Sequence, residues 1–252
     1  MSRIHRASLA VVLFSSAVLI PSGCHAPGKP GPADERPEEV KDFNALYRQN
    51  CAACHGDEGR SGIAVSLANP VYIAIAGRST IAEATAKGGP GSLMPAFAKS
   101  HGGFLTDAQV GVLADGIVQR WGRANALGGL TPPSYAPTQT GDAASGKAAF
   151  DSACARCHHA AESVQIIDAG GQKRIVGPVT EPDFLALISD QNLRSTILAG
   201  KPDEGMPDWR GTASQPLTDK QATDIVAWLS SQRKKATEQM RTQNAAPQGG
   251  KQ

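Results

Sequence analysis

Four of the five cysteines fall in two copies of one short frame, Cys51-Ala52-Ala53-Cys54-His55 and Cys154-Ala155-Arg156-Cys157-His158. Each copy sets two thiols three positions apart and an imidazole on the next residue. A four-cysteine zinc site would need no histidine after each pair, and a thioredoxin-like redox pair would follow a strand in a βαβ unit, of which the chain shows no sign. Five cysteines are too few for a disulfide scaffold in 252 residues. That length suits one large domain or two small ones. With 25 Lys and Arg against 23 Asp and Glu there is no basic excess to displace counterions, which excludes a nucleic-acid grip. Aromatic residues make up only 5% of the chain, so two cores call for a bound group to help fill them.

Cys-x-x-Cys-His is the attachment signature of c-type haem. Two thiols must reach the two vinyl groups of one porphyrin edge, and the next side chain must turn its imidazole to the iron. A single helical turn ending at the histidine does all three. Two copies therefore predict two covalently bound haem c groups.

Such attachment takes place outside the cytoplasm, and the N-terminus carries an export address. Arg3, His5 and Arg6 precede an uncharged stretch from Ala7 to Ile20. A membrane span needs about 20 apolar residues, so this shorter stretch reads as the apolar region of a signal peptide covering residues 1–23. Its end, Ile20-Pro21-Ser22-Gly23-Cys24, resembles a lipobox, with Pro21 where Leu is preferred. The expectation is cleavage before Cys24 and a lipid on its sulfur; the alternative is ordinary cleavage that leaves a free exported thiol. Loss of Arg3 and Arg6 with the leader brings the formal charge from +2 to 0, so a lipid on Cys24 would hold the membrane by apolar burial alone. Residues 24–40 are rich in Pro, Gly and Glu without apolar periodicity and read as a tether reaching about 50 Å.

Beyond the tether the sequence repeats one order. A helical run leads into each motif, Asp42 to Cys51 and Asp142 to Cys154. A loop-rich middle follows, then a short helix, Ser79 to Lys87 or Asp190 to Leu198. A Gly/Pro loop carries Met94-Pro95 or Met206-Pro207. A closing helix begins at Leu105-Thr106-Asp107 or Leu217-Thr218-Asp219, with Thr or Asp as its N-cap. The expected layout is a first domain over 41–123, a linker over 124–140, a second domain over 141–235 and a disordered tail over 236–252. Gly88-Gly89-Pro90-Gly91-Ser92 lacks the Gly-Lys-Ser/Thr ending of a phosphate loop and reads as the turn delivering Met94.

From Asp42 to Arg233 the chain resembles a tandem two-haem member of the class I cytochrome c family. The resemblance implies an all-α fold of two tandem domains, each a few helices around one haem. It makes His55 and His158 the proximal iron ligands and Met94 and Met206 the distal ones. Met1 leaves with the leader and Met240 lies in the tail, so one methionine remains per domain, 39 and 48 residues after its histidine. His101, beside Gly102-Gly103, reads as a surface turn, and His159 as solvated. Gly177-Pro178 resembles the family's loop whose proline carbonyl holds the proximal imidazole; Asn69-Pro70 is the comparable candidate in the first half.

The resemblance also implies a glycine on the first helix of each domain, against an aromatic on the last. Gly146 and Trp228 fit. In the first domain that position holds Phe43, and Gly116 stands opposite Trp228 in the repeat. The pair reads as reversed, large on the first helix and small on the last.

Two haems ligated on both faces suit electron transfer rather than substrate binding, and His/Met ligation raises the reduction potential. The expected function is an exported, membrane-tethered relay on the periplasmic face, passing single electrons between donor and acceptor proteins of a respiratory chain. The alternative is a tightly bound cytochrome subunit of a dehydrogenase or terminal oxidase. A two-haem peroxidase would need an open iron position and an acid/base pair that neither motif shows.

Overall fold

Asp42 and Asp142 each start a helix that ends at the first cysteine of its motif. Their carboxylates accept hydrogen bonds from Ala45 N and Ser145 N, both at 2.7 Å, which satisfies amides with no partner inside the helix. The computed structural model describes residues 35–89, 91, 93–158, 165–169, 171–211 and 215–245. The leader, Cys24 and His159 lie outside these.

In the first half, α1 (Phe43–Asn50) and the single turn α2 (Ala52–His55) are followed by α3 (Pro70–Lys87) and α4 (Asp107–Trp121). In the second half the order is α5 (Ala143–Ala153), an antiparallel hairpin of β1 (Gln165–Ala169) and β2 (Gln172–Val176), then α6 (Pro182–Leu187), α7 (Asp190–Ala199) and α8 (Asp219–Ala245). Among the described residues the fold is all-α apart from this hairpin. Residues from Arg36 onward form one unit, so both halves share it.

From Pro70 onward the halves repeat with an offset of 112 positions: Pro70 and Pro182 start helices, Gly88 and Gly200 end them, and Thr106 and Thr218 cap the last ones. Both threonines form a reciprocal cap. Each hydroxyl accepts from a glutamine amide (Gln109 or Gln221) at 3.2 Å, and each threonine N donates back to that glutamine's Oε1 at 3.0 Å.

Three expectations are corrected. The first-half helix starts at Pro70 rather than Ser79, because Gly77 (φ 72°, ψ 161°) breaks it into two segments and only the second shows helical periodicity. In the second half Ile188 and Ser189 make the same break between α6 and α7. The expected tail from Ala236 is helical as far as Ala245, since Ala, Glu, Gln, Met and Arg sustain a helix and no Gly or Pro intervenes before Pro247. The loop-rich middle of the second half contains the hairpin, which accounts for its longer path from His158 to Met206.

The cores are built from helix faces. Leu46, Leu113, Ala114 and Ile117 close the first, and Leu185, Leu198, Ala222 and Ile225 the second, all buried. Full burial of one Leu or Ile is worth about 1.5–3 kcal/mol. The chain between the halves is strapped down rather than free. Arg194, 1% exposed, donates through Nε to Ser134 O and Tyr135 O at 3.1 Å each and through Nη1 to Thr223 Oγ1 at 2.9 Å. It pairs with Asp219, whose carboxylate also accepts from Ser134 N at 3.2 Å and Thr138 Oγ1 at 2.6 Å. At the other end, Gln109 Nε2 donates to Pro37 O at 2.7 Å and Val40 O at 3.0 Å, pinning the last residues of the tether to α4.

One buried side chain joins the halves directly. Asn69 caps α3, its Oδ1 accepting from Val71 N at 2.9 Å and Tyr72 N at 3.3 Å. Its Nδ2 donates to Ala199 O at 2.9 Å and Gly200 O at 3.3 Å, at the end of α7.

Candidate haem sites

The two Cys-x-x-Cys-His segments adopt the same turn. Cys51 (φ −119°, ψ −37°) and Cys154 (φ −118°, ψ −32°) leave the helical ladder alike. The amide of the second cysteine donates to the first cysteine's carbonyl, at 3.2 Å in the first half and 3.0 Å in the second. The histidine amide donates to that same carbonyl, at 3.0 and 2.9 Å. Two thiols and one imidazole are thereby carried on a single turn in each half.

Burial and hydrogen bonding prepare the imidazoles. His55 is buried, and its Nδ1 lies 2.8 Å from Val65 O. Burial lowers its pKa and the Val65 carbonyl opposes this. A neutral ring that keeps its proton on Nδ1 for a carbonyl presents a bare Nε2 lone pair to a metal. The acceptor is Val65 and not the expected Asn69-Pro70, because Asn69 is turned to cap α3 and reach α7. Burial likewise lowers the pKa of His158, with the Gly177 backbone opposing it. Among the described residues His158 Nδ1 has no hydrogen bond of ordinary geometry, and within the expected loop it is the Gly177 backbone, not the Pro178 carbonyl, that acts on the ring.

The first thiol of each pair is protonated in these surroundings. Burial, then the neighbouring Cys54, pushes Cys51 up to about 12; burial, then Cys157, pushes Cys154 to about 11.

Both methionines follow a glycine that the backbone requires. Gly88 (φ 78°) and Gly200 (φ 66°) end their helices in a conformation that favours glycine. A β-carbon on Gly88 would lie 2.7 Å from Met94 O, and one on Gly200 would lie 2.6 Å from Pro207 C and O. The methionine loops thus cross directly over the helix ends. Gly89 N donates to Met94 O at 3.1 Å, and Lys201 and Met206 exchange amide bonds at 2.9 and 3.1 Å. Leu105 N donates to Phe97 O at 2.8 Å and, at the matching place, Leu217 N to Trp209 O at 2.9 Å. Arg156, inside the second motif, donates to Gly211 O at 3.4 Å and so ties that motif to the Met206 loop. His101 is an exposed turn residue beside Ser100, as expected.

The donor set fits a covalently held haem: two thiols, an imidazole with a free nitrogen and a thioether in each half. Two further observations agree. Trp209 is 4% exposed and among the described residues its indole Nε1 has no hydrogen-bond partner, as in a pocket completed by something other than these residues. Ile63 and Leu93, which follow the first motif and precede Met94, are largely exposed apolar side chains that a porphyrin face could cover. Sequence reasoning missed Val65, which acts through its backbone, and Asn69 as a bridge. Trp209 had a signal in the repeat, since its counterpart is Phe97, which has no polar atom to satisfy.

No curated protein matches the chain. Among solved structures, one similar chain belongs to the reducing HAO-like protein complex of Kuenenia stuttgartiensis. It is 17% identical, with 77% of this chain and 98% of that chain covered, at a TM-score of 0.40. The sequence model of one family matches residues 38–115 and 141–229, one stretch for each attachment motif. With both halves matched and both motifs in the same turn, the chain belongs to the c-type cytochrome family described as cytochrome c oxidase, cbb3-type, subunit III.

Proposed function

We propose that this c-type cytochrome carries two haems and relays single electrons between a donor and an acceptor of a respiratory chain, held at the periplasmic face of a membrane by a lipid on Cys24. Bound haem supplies a one-electron couple. Cys51 and Cys54 hold the first haem and Cys154 and Cys157 the second. His55 and Met94 would hold the iron of the first, and His158 and Met206 that of the second. Such a His/Met donor set would leave no position for a substrate and would raise the potential relative to two histidines. The observation that carries this reading is the identical turn at Cys51 and Cys154, followed in each half by a methionine loop laid over a helix-ending glycine.

Optical spectra of the haem-loaded protein with a haem count test it. Two haems per chain, both low-spin and both with the far-red methionine–iron band, are expected. One haem, or one high-spin site, would overturn the relay and bring a peroxidase-like enzyme forward. Mass spectrometry of Cys24 tests the anchor; among the described residues no helix is long and apolar enough to cross a membrane.

A second reading, a cytochrome permanently bound to a terminal oxidase, is favoured by the family's description as an oxidase subunit. Purification in a stoichiometric complex would select it over a free relay.

A further inference from the structure

We propose, resting on the two-haem reading above, that the first half positions the distal ligand of the second: Asn69 and Arg210 hold the two ends of the loop that carries Met206. The loop leaves α7 at Ala199 and Gly200, whose carbonyls belong to the last turn and lack intrahelical partners. Asn69, 4% exposed, donates to both from the first half. The amide cannot swing away without uncapping α3, because its Oδ1 is engaged by Val71 N and Tyr72 N. At the far end, Asp208 orients the Arg210 guanidinium, with Nε at 3.0 Å from Oδ1, and Arg210 Nη1 donates to Ala126 O at 3.1 Å, just beyond α4.

Between these anchors Met206 exchanges amide bonds with Lys201, and Trp209 N donates to Leu198 O at 3.1 Å. A thioether is a weak ligand, and its hold on iron depends on the groups that fix its loop. The arrangement is one-directional. The counterpart of Asn69 in the second half is Glu181, whose carboxylate has no hydrogen to donate and makes no capping bond. Asn69 also lies four residues after Val65, the acceptor for His55. One short loop therefore carries the hold on the first proximal ligand and, through Asn69, the hold on the second distal one.

The test is Asn69→Ser in the full-length, haem-loaded chain. Serine keeps an oxygen able to cap α3 but has no amide to reach α7. Two readouts are taken: amide exchange at Lys201 and Met206, and the pH at which each far-red band is lost. Loss of a buried hydrogen bond of ordinary strength predicts exchange about tenfold faster at both amides. The second haem's band should disappear about one pH unit lower, with the first haem's band unchanged. Arg210→Gln should act on the same band, and Glu181→Ser on neither. Unchanged exchange in Asn69→Ser overturns the proposal, as does faster exchange with no effect on the band, or an equal effect on both haems. If the wild type shows no His/Met spectrum in the second half, the functional reading of Met206 fails, while the exchange still decides whether Asn69 holds the loop.

Discussion

The ring of Phe43 lies across Gly116 so closely that a β-carbon on the glycine would sit 2.0 Å from Phe43 Cδ2. In the second half the arrangement is inverted. Gly146 is on the first helix, where a β-carbon would meet Asp224 O at 1.9 Å and Trp228 Cβ at 2.9 Å. The volume needed at the helix crossing is conserved while the helix that supplies it changes. In the first half Trp121 completes the cluster, edge-on to Phe43 at 5.9 Å and to Tyr47 at 5.2 Å between ring centroids. In the second, Phe150 packs on Trp228 at 4.5 Å.

Gly116→Trp should therefore overpack the first half by about 1–3 kcal/mol, and adding Phe43→Gly should return part of the loss. Gly146→Ala should cost more than Gly116→Ala, because its obstacle is a backbone carbonyl and not a ring that can tilt. Thermal melts of the four variants decide it; an unchanged melt for Gly116→Trp removes the argument.

Asp219→Asn should destabilise the chain by about 3 kcal/mol, the low end for stranding a buried charge, because Arg194 would lose its counter-charge. Burial pushes the Asp219 carboxyl up, but bonds from Thr138, the Arg194 charge and Ser134 N outweigh it and its pKa is lowered. The unfolded chain takes up that proton more readily. The contribution is thus complete above the ordinary carboxylate range, about pH 4, and is lost as pH falls through the folded-state value. Denaturant melts as a function of pH should show a flatter acid limb in Asp219→Asn.

The hairpin should be dispensable for stability. Ile166 faces Ile175 across it, and both are largely exposed; a lone two-stranded hairpin adds little in water. Replacing residues 165–176 with a short Gly/Ser link should leave the haem count at two and the stability within about 0.5 kcal/mol. A lost second haem would instead mean that the hairpin closes that site.

Electron transfer to a partner should depend only modestly on ionic strength. The surface pairs are local and of mixed sign, among them Arg78–Asp115, Lys147–Asp151 and Lys201–Glu204, so no one-signed field steers long-range encounter. Stopped-flow rates against salt would show a steep slope if this is wrong.

What could be read in the sequence was what depends on covalent spacing or on pattern: the two attachment turns, the capped helices leading into them, the methionine loops and the exchange of Phe43 with Gly116. What could not be read depends on backbone atoms meeting through space. Nothing in the residue types distinguishes Val65 from its neighbours as the carbonyl for His55, and Asn69 looks like any N-cap. Gly177-Pro178 matches the expected loop in sequence, yet it is the Gly177 backbone that acts on the ring, and among the described residues His158 Nδ1 has no well-formed bond. The break at Gly77 concealed the first segment of α3, since periodicity measured across it averages two helix directions.

The contact from Asn69 to Ala199 and Gly200 is head-to-tail, joining the start of one repeat's helix to the end of the other's. Contacts of that kind between like units either close into rings or propagate as open filaments. The second repeat does not carry the same grip: Glu181 stands at the matching position and makes no capping bond. One amide exchanged for a carboxylate makes this contact between two like units asymmetric, so that here the first repeat gives and the second receives.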